Sequence, residues 1–199
     1  MMKSIKLAAL ALVGLALGSM SALWMSGLIG TASIASFADV NIDGWASDRS
    51  IGAASADAYT RARVARHGLL ALAKEEAIYF TRKTDDDGDP LSEGCTYQIS
   101  GRPQDAFWWS ITLYDAESRL PMNDDDALSI DATTVGNTDA WTAIIASRRP
   151  ASEHWLSSRS ADVFDLTLRL YRPAANVIEH PHTNLVAPKI RKLECGETE

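Results

Sequence analysis

The sequence predicts a mainly β fold: an antiparallel β-sandwich of the jelly-roll type, preceded by one transmembrane helix and one amphipathic helix. Three observations predict it. Many short β-prone runs beyond residue 76 are separated by turns rich in Gly, Pro, Asn and Asp. No helical pattern alternates with these runs, which argues against an α/β fold. A long uncharged stretch near the N-terminus adds a membrane-spanning segment.

The first predicted element is this uncharged stretch, residues 7–38, which follows Lys3 and Lys6. Its most apolar part, residues 7–29, is long enough to cross a hydrocarbon core of roughly 30 Å as a helix. Residues 1–38 are therefore predicted to be an N-terminal transmembrane signal anchor. A cleaved signal peptide is the alternative, although the apolar core of such a peptide has only about 7 to 15 residues.

The charges that flank the span predict its orientation. Lys3 and Lys6 precede it, and the acidic residues Asp39 and Asp43 follow it. Basic flanks stay in the cytoplasm, so we expect a cytoplasmic N-terminus, a single pass of the inner membrane through residues 7–29, and a periplasmic C-terminal domain. The anchor and the cleaved peptide both export the remainder of the chain.

Two predicted segments connect the anchor to the β-rich part. Residues 39–56 are rich in Asp, Ser, Gly and Ala and are predicted to be a linker. Residues 57–74 show helical spacing, so an amphipathic helix is expected to pack on the domain that follows. Its predicted buried stripe consists of Ala62, Ala65, Leu69, Leu72 and Ala73. Its arginines, Arg61, Arg63 and Arg66, are expected to form a solvated flank rather than an anion site.

The strands are predicted from short runs rich in β-branched and aromatic residues, within a domain of residues 57–195 that includes the packing helix. The predicted strands are residues 77–83, 95–100, 107–114, 128–132, 141–146, 163–171 and 185–193. The sixth alternates best, so one of its faces is expected to be buried and the other wet. The acidic run at residues 85–89 contains Asp-Gly and is expected to form the turn of a hairpin between the first two of these strands. A calcium site is disfavoured, because the spacing of the acidic residues does not match an EF-hand loop.

Composition excludes several classes of function. Beyond the anchor lie 17 of the 19 basic residues and all 26 acidic ones, a net charge of −9. Because nucleic-acid binding depends on neutralising phosphates, this charge excludes a nucleic-acid partner, and it disfavours an anionic lipid surface. No GxSxG, HExxH or Gly-rich phosphate loop is present, so no catalytic residue and no cofactor is predicted.

The two cysteines, Cys95 and Cys195, lie in the exported part, where disulfides form and persist. A bridge between them would close a loop of about 100 residues and contribute about 4 to 5 kcal/mol on the chain-entropy model. Two buried free thiols are the alternative. A metal site is disfavoured, because neither cysteine has a second ligand at CxxC or CxxH spacing.

Aromatic and basic residues on predicted wet faces suggest a binding surface. The candidates are Trp108, Tyr114, Trp155 and Arg169, which would line a concave sheet surface that stacks a sugar or docks a protein. The alternative is ordinary packing under the N-terminal helix or the C-terminal segment. The opposite parity of the same strand, from Phe107 through Trp109 and Ile111, is expected to be core.

The densest group of potential metal ligands is Glu179 with His180 and His182 on either side of a proline. Two histidines at this spacing can point the same way on an extended chain, and neutral imidazoles bind zinc or copper. No third ligand is evident, so a surface loop is the favoured interpretation and no metal site is predicted.

Ordered markers along the chain resemble domain-of-unknown-function family 1214, a family of bacterial membrane or exported proteins. The markers are Ile78-Tyr79-Phe80, Cys95-x-Tyr97 with Gly101, Trp108-Trp109-Ser110-Ile111-Thr112-Leu113-Tyr114-Asp115, Asn123, Trp155-Leu156, Phe164-Asp165-Leu166-Thr167-Leu168-Arg169-Leu170-Tyr171-Arg172-Pro173, and Pro188-x-Ile190 with Cys195. The resemblance covers roughly residues 57–195 and implies a jelly-roll β-sandwich. It also implies a possible companion protein with a family-1254 domain, and it supplies no catalytic residues. This chain departs from the pattern at His154, where relatives tend to have Asn, and at Ala58, where many have Pro.

These features together predict an envelope protein held by a single membrane span. The favoured function is a non-catalytic binding or accessory domain for a partner protein or a glycan. The alternative is an envelope hydrolase with a site around His180 and His182.

Overall fold

The computed structural model describes residues 2–29, 38–66, 72–136, 138–152 and 154–196. The helices are α1 (Met2–Met25), α2 (Ala58–Arg66), α3 (Ala132–Val135), α4 (Ala175–Glu179) and α5 (Pro181–Asn184). The strands are β1 (Val40–Ile42), β2 (Trp45–Ser47), β3 (Ala77–Arg82), β4 (Cys95–Gly101), β5 (Ala106–Asp115), β6 (Ser129–Asp131), β7 (Trp141–Ala146), β8 (Trp155–Ser157), β9 (Phe164–Pro173) and β10 (Lys189–Cys195). The prediction of a mainly β chain is confirmed.

The strands form two sheets, one of six strands in the order β1-β2-β3-β9-β5-β6 and one of four in the order β10-β4-β7-β8. All pairs are antiparallel except β7 with β8, which are parallel, so the smaller sheet is mixed rather than antiparallel as expected. Buried side chains from both sheets form one hydrophobic core. Within this core the ring of Trp109 stacks on that of Trp141, with centroids 5.0 Å apart.

Strand β9 shows why the alternation in sequence was informative. Leu166, Leu168 and Leu170 are fully buried and face the core. Side chains alternate across a strand, so the residues between them point to the opposite face of the larger sheet. The same alternation buries Ile111 and Leu113 on the neighbouring strand β5.

Residues 39–56, expected to be a linker, contain the hairpin β1–β2. Asp43 and Gly44 occupy its two-residue turn with φ of 50° and 85°, the left-handed conformation that such turns require. Trp45 is fully buried, and its indole N–H donates to the Pro188 carbonyl oxygen at 2.8 Å. The hairpin extends the larger sheet at β3 through the pair Ala46–Thr81.

Helix α1 contains a candidate membrane span, Ile5–Met25, with a mean hydropathy of 1.9. It ends at Met25, four residues before the predicted end of the span. Gly27 has a φ of 72°, a conformation that ends helices, and the N–H of Gly27 bonds to the Trp24 carbonyl. Residues 30–37, in the last part of the predicted anchor, lie outside the described residues.

Helix α2 is shorter than predicted and buries a different face. The Asp57 carboxylate caps it by accepting from the N–H groups of Tyr59 and Thr60, which sets its register. Thr60 and Arg63 are its buried residues, so the predicted stripe of small residues at Ala62 and Ala65 is wrong. The expected position at Leu69, like His67, lies outside the described residues. Leu72 and Ala73 are described and are not helical.

Strand β10 is joined to β4 by covalent and ionic contacts. The sulfur atoms of Cys95 and Cys195 lie 2.00 Å apart, which confirms the predicted disulfide. Lys192 on β10 lies 3.3 Å from the buried carboxylate of Asp85. These contacts pin the last strand at the edge of the smaller sheet.

The acidic run forms a turn, as predicted, but β3 and β4 on either side of it lie in different sheets, so the prediction that they pair as a hairpin is wrong. One oxygen of Asp85 accepts from the backbone N–H groups of Asp87 and Asp89, each at 3.0 Å. One oxygen of Asp86 accepts from the guanidinium of Arg82 at 2.8 Å and from the N–H of Ile190 at 3.1 Å. The carboxylates of Asp85 and Asp86 are therefore engaged by backbone donors and by basic side chains.

Candidate functional site

The face of the larger sheet that points away from the core carries most of the polar and aromatic side chains of its long strands. We call this surface the outer face. It is formed by Tyr79 and Thr81 on β3, by Asp165, Thr167, Arg169 and Tyr171 on β9, and by Trp108, Ser110, Thr112 and Tyr114 on β5. The order β3-β9-β5 places Arg169 at its centre.

Strand register aligns these side chains in rows across the sheet. Arg169 is paired with Tyr79 on one side and with Ser110 on the other. In the neighbouring row, two residues further along β9, Tyr171 is paired with Trp108. Directly paired residues have side chains about 5 Å apart, so each row forms a continuous contact surface.

Arg169 and Tyr114, both predicted as candidates, are brought together. The Arg169 guanidinium donates to the Tyr114 hydroxyl oxygen at 2.6 Å, and its Cζ lies 5.2 Å from the centre of the Tyr114 ring. The guanidinium is thus held beside Tyr114 by a hydrogen bond and a cation–π contact, each of which limits its rotamers.

Trp108, the third predicted candidate, forms an aromatic pair with Tyr171. Their ring centroids lie 5.3 Å apart with the planes tilted by 50°. The indole N–H of Trp108 donates to the Thr133 hydroxyl at 3.1 Å. Thr133 lies in α3, whose N-terminus is capped by the Asp131 carboxylate, so this short helix fixes the orientation of the tryptophan.

Asp165 is the residue of this surface that sequence reasoning missed. The alternation of β9 predicts that Asp165 lies on a solvated face, yet only 8% of it is exposed. Thr167 and Ser110 on the same face are buried to a similar degree. Burial raises the pKa of the Asp165 carboxyl to about 7, and the nearby carboxylate of Asp115 adds to the shift. The positive charges of Lys83 and Arg169 oppose it only in part.

Asp165 lies opposite Tyr114 in the register of β5 and β9. The outer face therefore combines a fixed guanidinium, a phenol and a carboxyl group whose protonation changes near neutral pH. Burial also raises the pKa of Tyr79, the partner of Arg169 on β3. The one signal in the sequence was an Asp between two apolar residues of β9, Phe164 and Leu166.

Trp155 does not belong to this surface, so the expectation that it joins the other three candidates is wrong. It lies on β8 in the smaller sheet, where its indole N–H donates to the Ala146 carbonyl at 3.0 Å. The Arg149 guanidinium covers its ring at 5.7 Å. The expectation that Phe107 lies in the core is wrong, since it is 74% exposed. The Cζ atom of Arg172 lies 4.8 Å from the centre of its ring.

The histidine segment lies beside a cavity of about 840 Å³ without contributing to its wall. Residues 177–179 and Pro181 line the cavity, whereas His180 and His182 do not. Both histidines are exposed, at the junction of α4 and α5 and within α5. Among the described residues, no three His, Cys, Asp or Glu side chains are grouped closely enough to hold a metal ion.

The family assignment follows from residues 76–175, about half of the chain, which match the family described as Protein of unknown function (DUF1214). The chain belongs to the DUF1214 family. The matched region runs from the start of β3 to the end of β9 and so contains the whole outer face. It is narrower than residues 57–195, over which the motifs resemble the family, since α2 and β10 lie outside it.

Solved structures match this DUF1214 chain at the level of the fold. The VPA0106 protein from Vibrio parahaemolyticus matches with a TM-score of 0.56 and 20% identity over 70% of this chain, and the match spans 36% of that protein. An uncharacterized protein from Burkholderia cenocepacia matches with a TM-score of 0.46 and 17% identity, covering 59% of this chain and 30% of that one. No curated protein matches. The likeness to the Vibrio protein shows the fold alone.

Proposed function

We propose that this DUF1214 chain is a membrane-anchored, non-catalytic domain that binds an envelope glycan on its outer face. The observation that carries the proposal is the composition of that face: an aromatic pair, Trp108 and Tyr171, next to the fixed guanidinium of Arg169. Sugars present apolar ring faces edged by hydroxyls, and aromatic rings beside polar groups match both features. The two sheets are proposed to form a sandwich of the jelly-roll type.

We expect replacement of both aromatic residues, Trp108→Ala with Tyr171→Ala, to weaken glycan binding about tenfold or more, because buried aromatic contacts dominate recognition. The measurement uses the full chain in detergent on an array of muropeptides and lipopolysaccharide core oligosaccharides. Trp155→Ala is the matched control, since that aromatic residue lies on the smaller sheet. A wild-type chain that binds none of these glycans, or equal loss in the control, would contradict the proposal.

Retention of the anchor is the second part of the proposal. Arg63 in the domain donates to the carbonyl oxygen of Met25 at 2.8 Å, and Ser26 and Gly27 are buried. Cleavage after the span would remove the acceptor of a buried guanidinium, which is costly. These contacts support an uncleaved anchor. The proposed orientation, with the N-terminus cytoplasmic and the domain periplasmic across the inner membrane, rests on the basic residues Lys3 and Lys6 before the span.

The intact mass of the protein extracted from membranes is therefore expected to include residues 1–38. Protease added to cells should digest the domain only after the outer membrane is permeabilised. A mature N-terminus near residue 38 would show cleavage, and protection in permeabilised cells would overturn the orientation.

A companion protein with a family-1254 domain is also proposed. The proposal rests on the resemblance of the motifs of this chain to family 1214. Crosslinking in intact membranes followed by mass spectrometry tests this association.

A further inference from the structure

Arg63 fixes helix α2 against the end of the membrane helix. Its side chain is 7% exposed and donates to the Met25 carbonyl at 2.8 Å and to the Thr60 hydroxyl at 3.0 Å. The Asp48 carboxylate lies 3.9 Å away and balances its charge. Because Met25 is the last residue of α1, the position of α2 relative to the membrane span is set by this contact.

This contact places α2 at the level of the lipid headgroups if α1 spans the bilayer. Trp24, in the last turn of α1, is 53% exposed, and Tyr59, in the first turn of α2, is 36% exposed. Both have an apolar ring with a polar tip, the type of side chain enriched at membrane interfaces. A nine-residue helix is about 14 Å long, so all of α2 lies near this boundary.

The charge of α2 is opposite to that of the domain. The helix carries three arginines and no acidic residue, and Arg61 and Arg66 are exposed. The nearby carboxylates of Asp39 and Asp48 are already paired, with Arg49 and with Arg63. Among the described residues, no carboxylate forms an ion pair with Arg61 or Arg66; Arg61 contacts only the Ala54 carbonyl at 3.3 Å.

We propose that Arg61 and Arg66 bind the phosphate groups of anionic phospholipids around the outer end of α1. Guanidinium groups bind phosphate in bidentate geometry, and a pair of them next to a span attracts anionic headgroups within a Debye length of about 8 Å. The inference rests on the proposed anchoring and is independent of the glycan site. It revises the expectation from net charge, because α2 itself is basic, while the carboxylates of Asp39, Asp48 and Asp57 are engaged by Arg49, by Arg63 and by the N-terminus of α2.

The test uses the full chain reconstituted in phosphatidylcholine vesicles, with electron spin resonance of spin-labelled phosphatidylglycerol or phosphatidylcholine. The wild-type chain is expected to prefer phosphatidylglycerol by roughly fivefold or more, and the double variant R61Q/R66Q to lose most of this preference. High salt should weaken the wild-type preference as well. The matched control, R148Q/R149Q, removes two exposed arginines after β7 and should keep the preference.

Three outcomes overturn the inference. A wild-type chain that floats with the vesicles without preferring phosphatidylglycerol refutes lipid binding and leaves the anchor intact. Equal loss in both double variants shows a net-charge effect rather than a site. A chain that fails to float with the vesicles refutes the anchor itself. Unfolding by urea verifies that R61Q/R66Q stays folded, since Arg63 is unchanged.

Discussion

Reduction of the Cys95–Cys195 disulfide is expected to lower the free energy of unfolding by about 4 to 5 kcal/mol. The bridge closes a loop of 100 residues, and opening it returns the conformational freedom of that loop to the unfolded chain. The measurement is urea unfolding of the full chain in detergent, followed by tryptophan fluorescence, with and without reductant. The double variant C95S/C195S should match the reduced wild type and should not respond to reductant.

The loss is expected to begin at strand β10, which pairs with β4 alone in the smaller sheet. The backbone of Ile190 forms two hydrogen bonds with Asp86. Its carbonyl oxygen accepts from the Asp86 N–H at 2.7 Å, and its N–H donates to the Asp86 carboxylate at 3.1 Å. Release of β10 would leave Asp85 buried without its partner Lys192. Hydrogen exchange after reduction should therefore rise first over Lys189–Cys195. An unfolding midpoint that reductant does not move, with both thiols shown to be free, would contradict this role.

The strands were predictable where apolar residues recur at every second position of the sequence. Trp141–Ala146 was predicted with the same bounds, and the alternation of β9 identified its buried leucines. Hairpin β1–β2 was missed because three-residue strands are too short to show a period. Its signal was Asp43-Gly44, a typical hairpin turn, followed by the single large residue Trp45. The parallel pairing of β7 with β8 has no local signal.

The candidate site was predictable only in part. Parity along β5 placed Trp108 and Tyr114 on one face, but their contact with Arg169 depends on β9 lying beside β5. The hydrogen bond between Arg169 and Tyr114 joins residues that are 55 positions apart. No local pattern in the sequence indicates which distant strands will lie side by side. Trp155 was misplaced for the same reason, since strand order assigns it to the other sheet.

The helix prediction failed because burial there is decided by an ionic contact. Small residues at Ala62 and Ala65 suggested a packing face, whereas the structure buries Arg63 between Met25 and Asp48. The spacing of apolar residues does not predict that a guanidinium will donate to a carbonyl oxygen at the C-terminus of another helix. The expectation that all three arginines are solvated is wrong for Arg63, which is buried. The exposed Arg61 and Arg66 are the basis of the proposed lipid contact.

Asp165→Asn is expected to stabilise the chain above pH 7 by up to about 4 kcal/mol. The carboxyl has a pKa of about 7 in the folded chain against 3.8 when unperturbed, chiefly because it is buried. The folded chain thus holds this proton more tightly than the unfolded chain. The contribution of Asp165 to stability is complete below about pH 4 and is lost as pH rises through 7, where a buried charge must form.

The asparagine variant has no such proton, so its advantage over the wild type should grow from pH 4 to 8 and then level off. Urea unfolding of both chains in detergent at several pH values measures the gap. Asp87→Asn, a change of equal charge at an exposed position of the acidic turn, is the control and should shift stability little. Parallel curves for Asp165→Asn and the wild type would show that the carboxyl is ionised and hydrated in the folded chain.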